Sequence, residues 1–338
     1  MTKTTSFMLD KSLISIIVVN WNGESHLRNS LLKLNLQTAR QFEVVLVDNG
    51  SKKLNIADLV HEILKYELHL ESLPSNLGFA AANNIGARLA RGEWIVLLNA
   101  DAYPEPDWLE NLLKTAEENP EYNFFSSRQI QYNSPHLLDG AGDEYHFSGL
   151  AWRRFFGQAQ ADHEPAREEV FGACAAAAMY RREDFLAVGG FDEDYFSYME
   201  DVDLSFRLRL AGGRCLYVPE AVVYHVGSVS MGRTSDFTYY HVHRNLVWTY
   251  FKDMPGALFW LFLPLHIGAN LFLALRIWIQ EGRPIALKAK WDAILALPRI
   301  LRKRQLVQHA RKASAGELYR VMNKSLPGLR RKGHSRSS

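Results

Sequence analysis

The sequence predicts an α/β fold, a mostly parallel sheet flanked by helices, followed by a helical C-terminal extension. Three observations carry this. Through roughly the first hundred residues, β-branched apolar runs alternate with segments of helical apolar spacing, the pattern of parallel strands joined by right-handed crossovers. Polar residues follow successive runs, at what such a sheet makes a single edge. From residue 281 onward fifteen Lys and Arg face three acids, a local charge of +12 that leaves −10 for residues 1–280.

The bulk numbers bound the rest. The 338 residues have ordinary globular composition and suffice for one large domain with an appendage, or for two domains. Cys174 and Cys215 are the two cysteines, which excludes a disulfide framework or a cysteine-based zinc site and suits a reducing compartment. Met1 to Ser12 is polar and lacks an apolar core, so no signal peptide is expected.

In order, Ser15–Trp21 reads as a buried strand, and Asn22-Gly23 turns the chain into a helix over Glu24–Leu36, with Leu27, Leu31 and Leu34 at helical spacing. Glu43–Asn49 is a second strand, Ile56–Tyr66 a helix, Leu70–Leu73 a short third strand and Ala80–Ala90 a small-residue helix ended by Gly92. The fourth strand, Trp94–Leu98, delivers Asn99-Ala100-Asp101 to its carboxyl end before Pro104 stops it. Asn20, Asp48, Asn76 and Asp101 thus follow successive strands at one edge, and four such residues lining one crevice make a polar ligand site. Singly, Asn20 and Asn76 fit turns better than a ligand role, whereas for Asp48 an Asx-turn is the lesser alternative. As functional groups, Asp48 suits the ring N–H of a pyrimidine and Asp101 suits a divalent cation that neutralises a diphosphate. The first strand lacks G-x-G-x-x-G and no P-loop lysine motif occurs, which argues against a standard dinucleotide site.

Further along, Pro106–Glu118 predicts an amphipathic helix with Trp108, Leu109, Leu112 and Leu113 on one face, and Asn123–Tyr132 predicts a strand. Asn133–Pro165 has little periodicity and reads as a lid or binding loop. Phe171–Met179 reads as a tightly packed buried strand beneath the site. A helix is expected from Glu200 to Ala211, capped by Gly212-Gly213. Its first-turn acids and its late Arg207 and Arg209 complement the helix dipole, which is the reading taken for Asp203. Asp201 is different: at a helix start, beside Glu200 and after an aromatic loop, it suits a general base whose basicity the second carboxylate raises. Cys215–Pro219 and Ala221–His225 read as a short extended pair. His225 leaves a strand into a Gly/Ser segment and suits a metal or phosphate ligand, although a lone His is commonly structural.

Together, Val18–Gly23, Val47–Ser51, Asn76–Gly86, Leu98–Asp101, Gly189–Glu193, Glu200–Leu204 and His225–Ser228 resemble the bacterial family 2 glycosyltransferases of GT-A fold, a Rossmann-like nucleotide-binding architecture. Within that family the resemblance is to the rhamnosyltransferases that build O-antigen (lipopolysaccharide) and related cell-wall glycans, and it extends to Arg244-Asn245 and Lys252–Pro255. The resemblance covers residues 13–250, the expected GT-A domain, leaving 251–325 as a membrane-associating extension and 326–338 as a disordered tail. It implies that Asn20, Asp48, Asn76 and Asn99 bind the nucleotide, that Asp101 and His225 hold Mg²⁺ or Mn²⁺, and that Asp201 is the catalytic base with Glu200 beside it. Asn99 stands where the plain D-x-D motif has Asp, so the metal site carries one charge fewer. The implied reaction is an inverting, in-line transfer of a sugar, dTDP-L-rhamnose being the expected donor and a lipid-diphosphate-linked saccharide the acceptor. The segment 133–165 is expected to contact that acceptor. Rivals are the same fold with a UDP-hexose or UDP-galactofuranose donor, and an inactive nucleotide-sugar-binding scaffold.

The window Pro255–Ile279 is the most apolar in the chain and about long enough to span a bilayer, at ~20 residues. It also holds Pro264, His266, Asn270 and Arg276, and spanning would put the +12 segment outside the cytoplasm, against the positive-inside tendency. Helices lying in the interface of the cytoplasmic membrane face, with basic residues meeting anionic lipid, are therefore expected. A homodimer interface or a helical cap is the competing expectation. Nucleic acid is not expected as a partner, because the site-bearing body is acidic.

Overall fold

The computed structural model describes residues 10–52, 56–227 and 235–325. In chain order the strands and helices are β1 (Asp10–Asn20), α1 (Glu24–Leu34), β2 (Phe42–Asp48), α2 (Ile56–Ile63), β3 (Glu67–Ser72), α3 (Phe79–Leu89), β4 (Gly92–Asn99), β5 (Ala102–Pro104), α4 (Trp108–Glu118), β6 (Phe124–Gln131), β7 (Leu138–Gly140), β8 (Asp143–Tyr145), β9 (Ala151–Arg153), β10 (Glu168–Val170), β11 (Ala177–Arg181), α5 (Arg182–Ala187), α6 (Glu200–Leu210), β12 (Cys215–His225), α7 (Asp236–Asp253), α8 (Gly256–Glu281), α9 (Ile285–Leu295), α10 (Leu297–His309) and α11 (Ala315–Val321).

The main sheet runs β10-β12-β6-β11-β4-β1-β2-β3, with β5 on β12 and β7 on β6. Its β4-β1-β2-β3 half is parallel, and β11 joins the two halves by antiparallel pairing with β4 and β6. The β-branched runs are strands because both faces are covered. Ile16 and Val18 of β1, Val44 and Leu46 of β2 and Val96 and Leu98 of β4 pack toward α1, α2 and α4. Ile17, Val45, Ile95 and Leu97 point the other way, toward α3, α5 and α6. The small residues of α3 let it lie close: a Cβ on Gly86 would meet Ile17 Cγ2 at 2.5 Å.

Several boundaries differ from the sequence-based expectation. The third strand is Glu67–Ser72, displaced toward the N-terminus, because an edge strand with half-exposed residues lacks a continuous apolar run. The extended pair at 215–225 is one strand, β12, with an irregularity between Val218 and Val222 that accommodates Pro219. Within Phe171–Met179 only the end is strand: β11 starts at Ala177. The segment 133–165 is ordered, with β7, the β8–β9 hairpin and a turn of 3₁₀ helix at Gln160–Asp162. Strands of three residues are too short to display a period. Asp203 stands in the first turn of α6, as expected, and is also fully buried, 2.6 Å from Arg207 and in contact with Lys252.

After the sheet, α7 packs on α6, α9 and α10, and it runs without a break from 236 to 253. The apolar window forms one helix, α8, with Pro264 inside it. Its 26 residues are long and apolar enough to cross a membrane, and 28% of its most apolar stretch is buried inside the protein. Trp260, Leu261, Phe272 and Ile279 are among its exposed side chains. The expected disordered tail, 326–338, lies outside the described residues.

Candidate active site

A cleft of about 690 Å³ opens at the carboxyl ends of β1 and β4. Asn20, Asn76, Asn99, Asp101, Glu200, Asp201 and His225 all line it, whereas Asp48 does not. Asp48 sits just behind, 7% exposed, opposite Asn20 in the parallel register. Its Oδ1 accepts from Asn20 Nδ2 at 3.1 Å and from Ser51 Oγ at 2.5 Å. Asn20 Oδ1 in turn accepts from Gly23 N at 3.2 Å, so this pair fixes the loop after β1. Asn76 accepts from Gly78 N at 2.8 Å and from Asn49 Nδ2 at 2.9 Å. Asn49 closes the set by accepting from Leu77 N at 2.8 Å. Asn49 is a lining residue to which the sequence reading gave no separate role at the end of the second strand; its place directly after Asp48 was the available signal.

Across the cleft, Asp101 leaves the end of β4 and His225 ends β12. Asp101 Oδ1 lies 3.4 Å from His225 Nε2, and Asp101 Oδ2 accepts from Gly227 N at 3.2 Å. Asn99 Nδ2 is 3.5 Å from the same imidazole nitrogen. The other nitrogen, Nδ1, is 2.7 Å from Oδ2 of the fully buried Asp139, which is itself ion-paired with Arg153. Burial opposes a charge on His225, but Asp101 and Asp139 outweigh it and raise its pKa. Asp101 is half-buried, which opposes its charge, yet His225 pulls its pKa down. A carboxylate oxygen and an imidazole nitrogen facing each other, with the far ring nitrogen held by a second carboxylate, form a donor set that fits a divalent cation in place of the shared proton.

The third part is a carboxyl cluster at the start of α6. Asp201 Oδ1 accepts from Val202 N at 2.9 Å and Oδ2 from Ala175 N at 3.3 Å. Burial raises the Asp201 pKa, against the opposing effects of Arg153 and these backbone bonds. Burial and the Asp201 charge push Glu200 and Asp143 well above the usual carboxyl range. Each has one buried oxygen without a partner, Glu200 Oε2 and Asp143 Oδ2. Asp143, Cys174 and Asp201 also bring one potential ligand atom each within 4.8 Å of one another. The Cys174 thiol is raised by burial, and the Arg153 cation acts on this cluster.

Sequence reasoning missed Asp139, Asp143 and Arg153. They come from the irregular segment, where the paired acids of Asp139-Gly140-Ala141-Gly142-Asp143 were the legible signal.

The sheet order and the cleft at its carboxyl edge are those of the GT-A fold. The sequence model of glycosyl transferase family 2 matches residues 15–189, and the chain belongs to that family as a glycosyltransferase. It is 29% identical over 293 residues, 78% of this chain and 91% of the relative, to N-acetylglucosaminyl-diphospho-decaprenol L-rhamnosyltransferase of Mycobacterium tuberculosis. Among solved structures it is similar to S. aureus TarS 1–349 in complex with UDP-GlcNAc, at TM-score 0.56 and 19% identity, covering 91% of this chain and 89% of that one. It is also similar to a mannosyltransferase from Pyrobaculum calidifontis in complex with GDP-Man and Mn²⁺, at TM-score 0.54 and 19% identity, covering 88% and 85%.

Proposed function

We propose that this glycosyltransferase moves L-rhamnose from dTDP-L-rhamnose onto a lipid-diphosphate-linked saccharide, with inversion at the anomeric carbon. The observation that carries the reading is the shared cleft, lined by Asn20, Asp101, His225 and Asp201 together. The donor and acceptor classes are supported by the mycobacterial relative, whose name specifies rhamnose transfer to a lipid-diphospho-GlcNAc.

In the proposed reaction Asn20, Asn76 and Asn99 hold the nucleotide, with Asp48 setting Asn20 from behind. Asp201 takes the proton from an acceptor hydroxyl. The hydroxyl oxygen bonds to the anomeric carbon, the bond from that carbon to the diphosphate oxygen breaks, and the electron pair leaves on the nucleoside diphosphate. Mg²⁺ or Mn²⁺, held by Asp101 and His225, supplies positive charge against that leaving group when bound. Asp143, Trp152 and Arg153 line the cleft on the β8–β9 side and are assigned to the acceptor. We further assign 13–250 to the transferase domain and 251–325 to an extension that lies on the cytoplasmic face of the bacterial inner membrane.

Incubation with dTDP-L-rhamnose and a short-chain lipid-diphospho-GlcNAc tests this, with the product analysed by NMR. A rhamnoside of configuration opposite to the donor's is the expected product. Transfer from a UDP-sugar alone would overturn the donor assignment, and a retained configuration would overturn the mechanism.

A further inference from the structure

The loop that enters α6 is held in a conformation its side chains do not favour. Phe196, Tyr198 and Met199 have φ of 65°, 67° and 67°, and none is glycine. Met199 is the residue immediately before the helix, and its side chain makes no capping bond. Bulky residues persist in the left-handed region only where their surroundings impose it, and such places cluster at functional sites. Phe196, Ser197, Tyr198 and Met199 all line the cleft, and Glu200 and Asp201 follow directly.

What imposes the turn is α7. Asn245 is fully buried, and its Nδ2 lies 3.2, 3.1 and 2.7 Å from the carbonyl oxygens of Tyr195, Ser197 and Tyr198. One amide group thereby ties three carbonyls of a single turn. Arg244 Nε donates to Asn245 Oδ1 at 2.9 Å, which keeps the amide nitrogen aimed at the turn. Arg244 Nη2 donates to the carbonyls of Asp194 and Tyr195 at 3.1 and 3.0 Å, while its guanidinium lies 4.1 Å from the Trp248 ring centre. On the far side the turn meets the start of α3: Ala80 N donates to Phe196 O at 3.3 Å, and a Cβ on Gly78 would strike the Phe196 ring at 2.6 Å. Phe237 and Val242, also on α7, line the same cleft. All of these α7 residues lie beyond the family match at 15–189.

We propose that Asn245, with Arg244, is a positioning residue for sugar transfer: it clamps the Phe196–Met199 turn in the conformation that aims Asp201 into the cleft. The inference rests on Asp201 being the base. It makes α7 part of the transfer machinery, since the helix that follows the nucleotide-binding sheet fixes where the base stands.

The test compares Asn245→Ala, Arg244→Ala and Asp201→Asn with wild type in the full chain. Hydrogen exchange is followed over 195–201, dTDP affinity by calorimetry with Mn²⁺, and transfer with dTDP-L-rhamnose and lipid-diphospho-GlcNAc. Asn245→Ala is expected to speed exchange in the turn by about tenfold or more. It should lower kcat by about tenfold or more while leaving dTDP affinity within about threefold. Arg244→Ala keeps the amide and should move the same quantities in the same direction by less, which preserves the test if Asn245→Ala does not fold. Unchanged exchange at 195–201, or kcat and dTDP affinity falling together, would overturn the clamp. Retained transfer in Asp201→Asn would overturn the assignment of the base, and the exchange data would still read the clamp directly.

Discussion

His225 Nδ1 lies 2.7 Å from Oδ2 of Asp139, a carboxylate with no exposed surface, across 86 residues of sequence. The bond fixes the ring so that Nε2 faces Asp101. Groups that orient a metal-binding histidine in this way typically cost about 10–100-fold in metal affinity when removed. Asp139→Ala is accordingly expected to weaken Mn²⁺ binding in the presence of dTDP by about that factor. Electron paramagnetic resonance titration reads it, and unchanged affinity would remove Asp139 from the site.

Lys252, on α7, joins Asp192, which precedes the Phe196–Met199 turn, to Asp203 of α6. Its fully buried Nζ is 2.7 Å from Asp192 Oδ2 and contacts Asp203, and Lys303 reaches Asp192 from α10 at 2.5 Å. Removing the buried cation takes one of two cationic partners from each of Asp192 and Asp203, which keep Lys303 and Arg207, so Lys252→Met should cost up to about 3–5 kcal/mol in denaturant unfolding. The Asp192 carboxyl is buried, but Lys252 and Lys303 hold its pKa well below the usual range. A depressed carboxyl contributes stability that is present above its unfolded pKa and is lost as pH falls through the folded one. The stability difference between wild type and Asp192→Asn should therefore be large near neutral pH and fade in strong acid.

The two adjacent acids of α6 should separate by substitution. As the proposed base, Asp201 must lose its proton to act, and burial raises its pKa, so transfer should rise with pH along a limb above that of an ordinary aspartate. Arg153 opposes the shift, and Arg153→Gln should move the limb to higher pH. Asp201→Asn should lower kcat by about 10²–10⁴-fold. Glu200, pushed further toward its neutral form, should tolerate Gln with a much smaller loss. Equal losses for the two would contradict the assignment of the base.

Much of this site was legible because its parts stand at the ends of apolar runs. Asn20, Asn99 and Asp101 follow strands whose burial on both faces the sequence displays directly, and Asp201 begins a helix flanked by recognisable punctuation. Asp139, Asp143 and Arg153 were missed, because β7, β8 and β9 have three residues each and show no periodicity that would place the paired acids at the cleft. Asp203 was read as a structural first-turn acid, but its partner Lys252 could not be read, being 49 residues away on a helix whose packing no local pattern reveals. Asn245 was noticed as part of a resemblance, but three carbonyls converging on one amide is a tertiary fact.

The exposed face of α8 predicts lipid binding. Trp260 and Phe272 are 72% and 64% exposed, on a helix that precedes the basic segment. The protein should float with anionic vesicles and bind less as salt rises. Trp260→Ser combined with Phe272→Ser should reduce flotation at constant salt, and a stable dimer that does not float would favour an interface between copies instead.

The central claim, a nucleotide-sugar site built on Asp101 and His225, is tested most directly by calorimetric binding of dTDP-L-rhamnose, UDP-GlcNAc and UDP-galactofuranose. Each is measured with and without Mn²⁺, for wild type and Asp101→Ala. The account predicts that dTDP-L-rhamnose binds best, that Mn²⁺ strengthens its binding, and that Asp101→Ala abolishes this gain. Binding of none of them, or binding indifferent to both Mn²⁺ and Asp101, would contradict it.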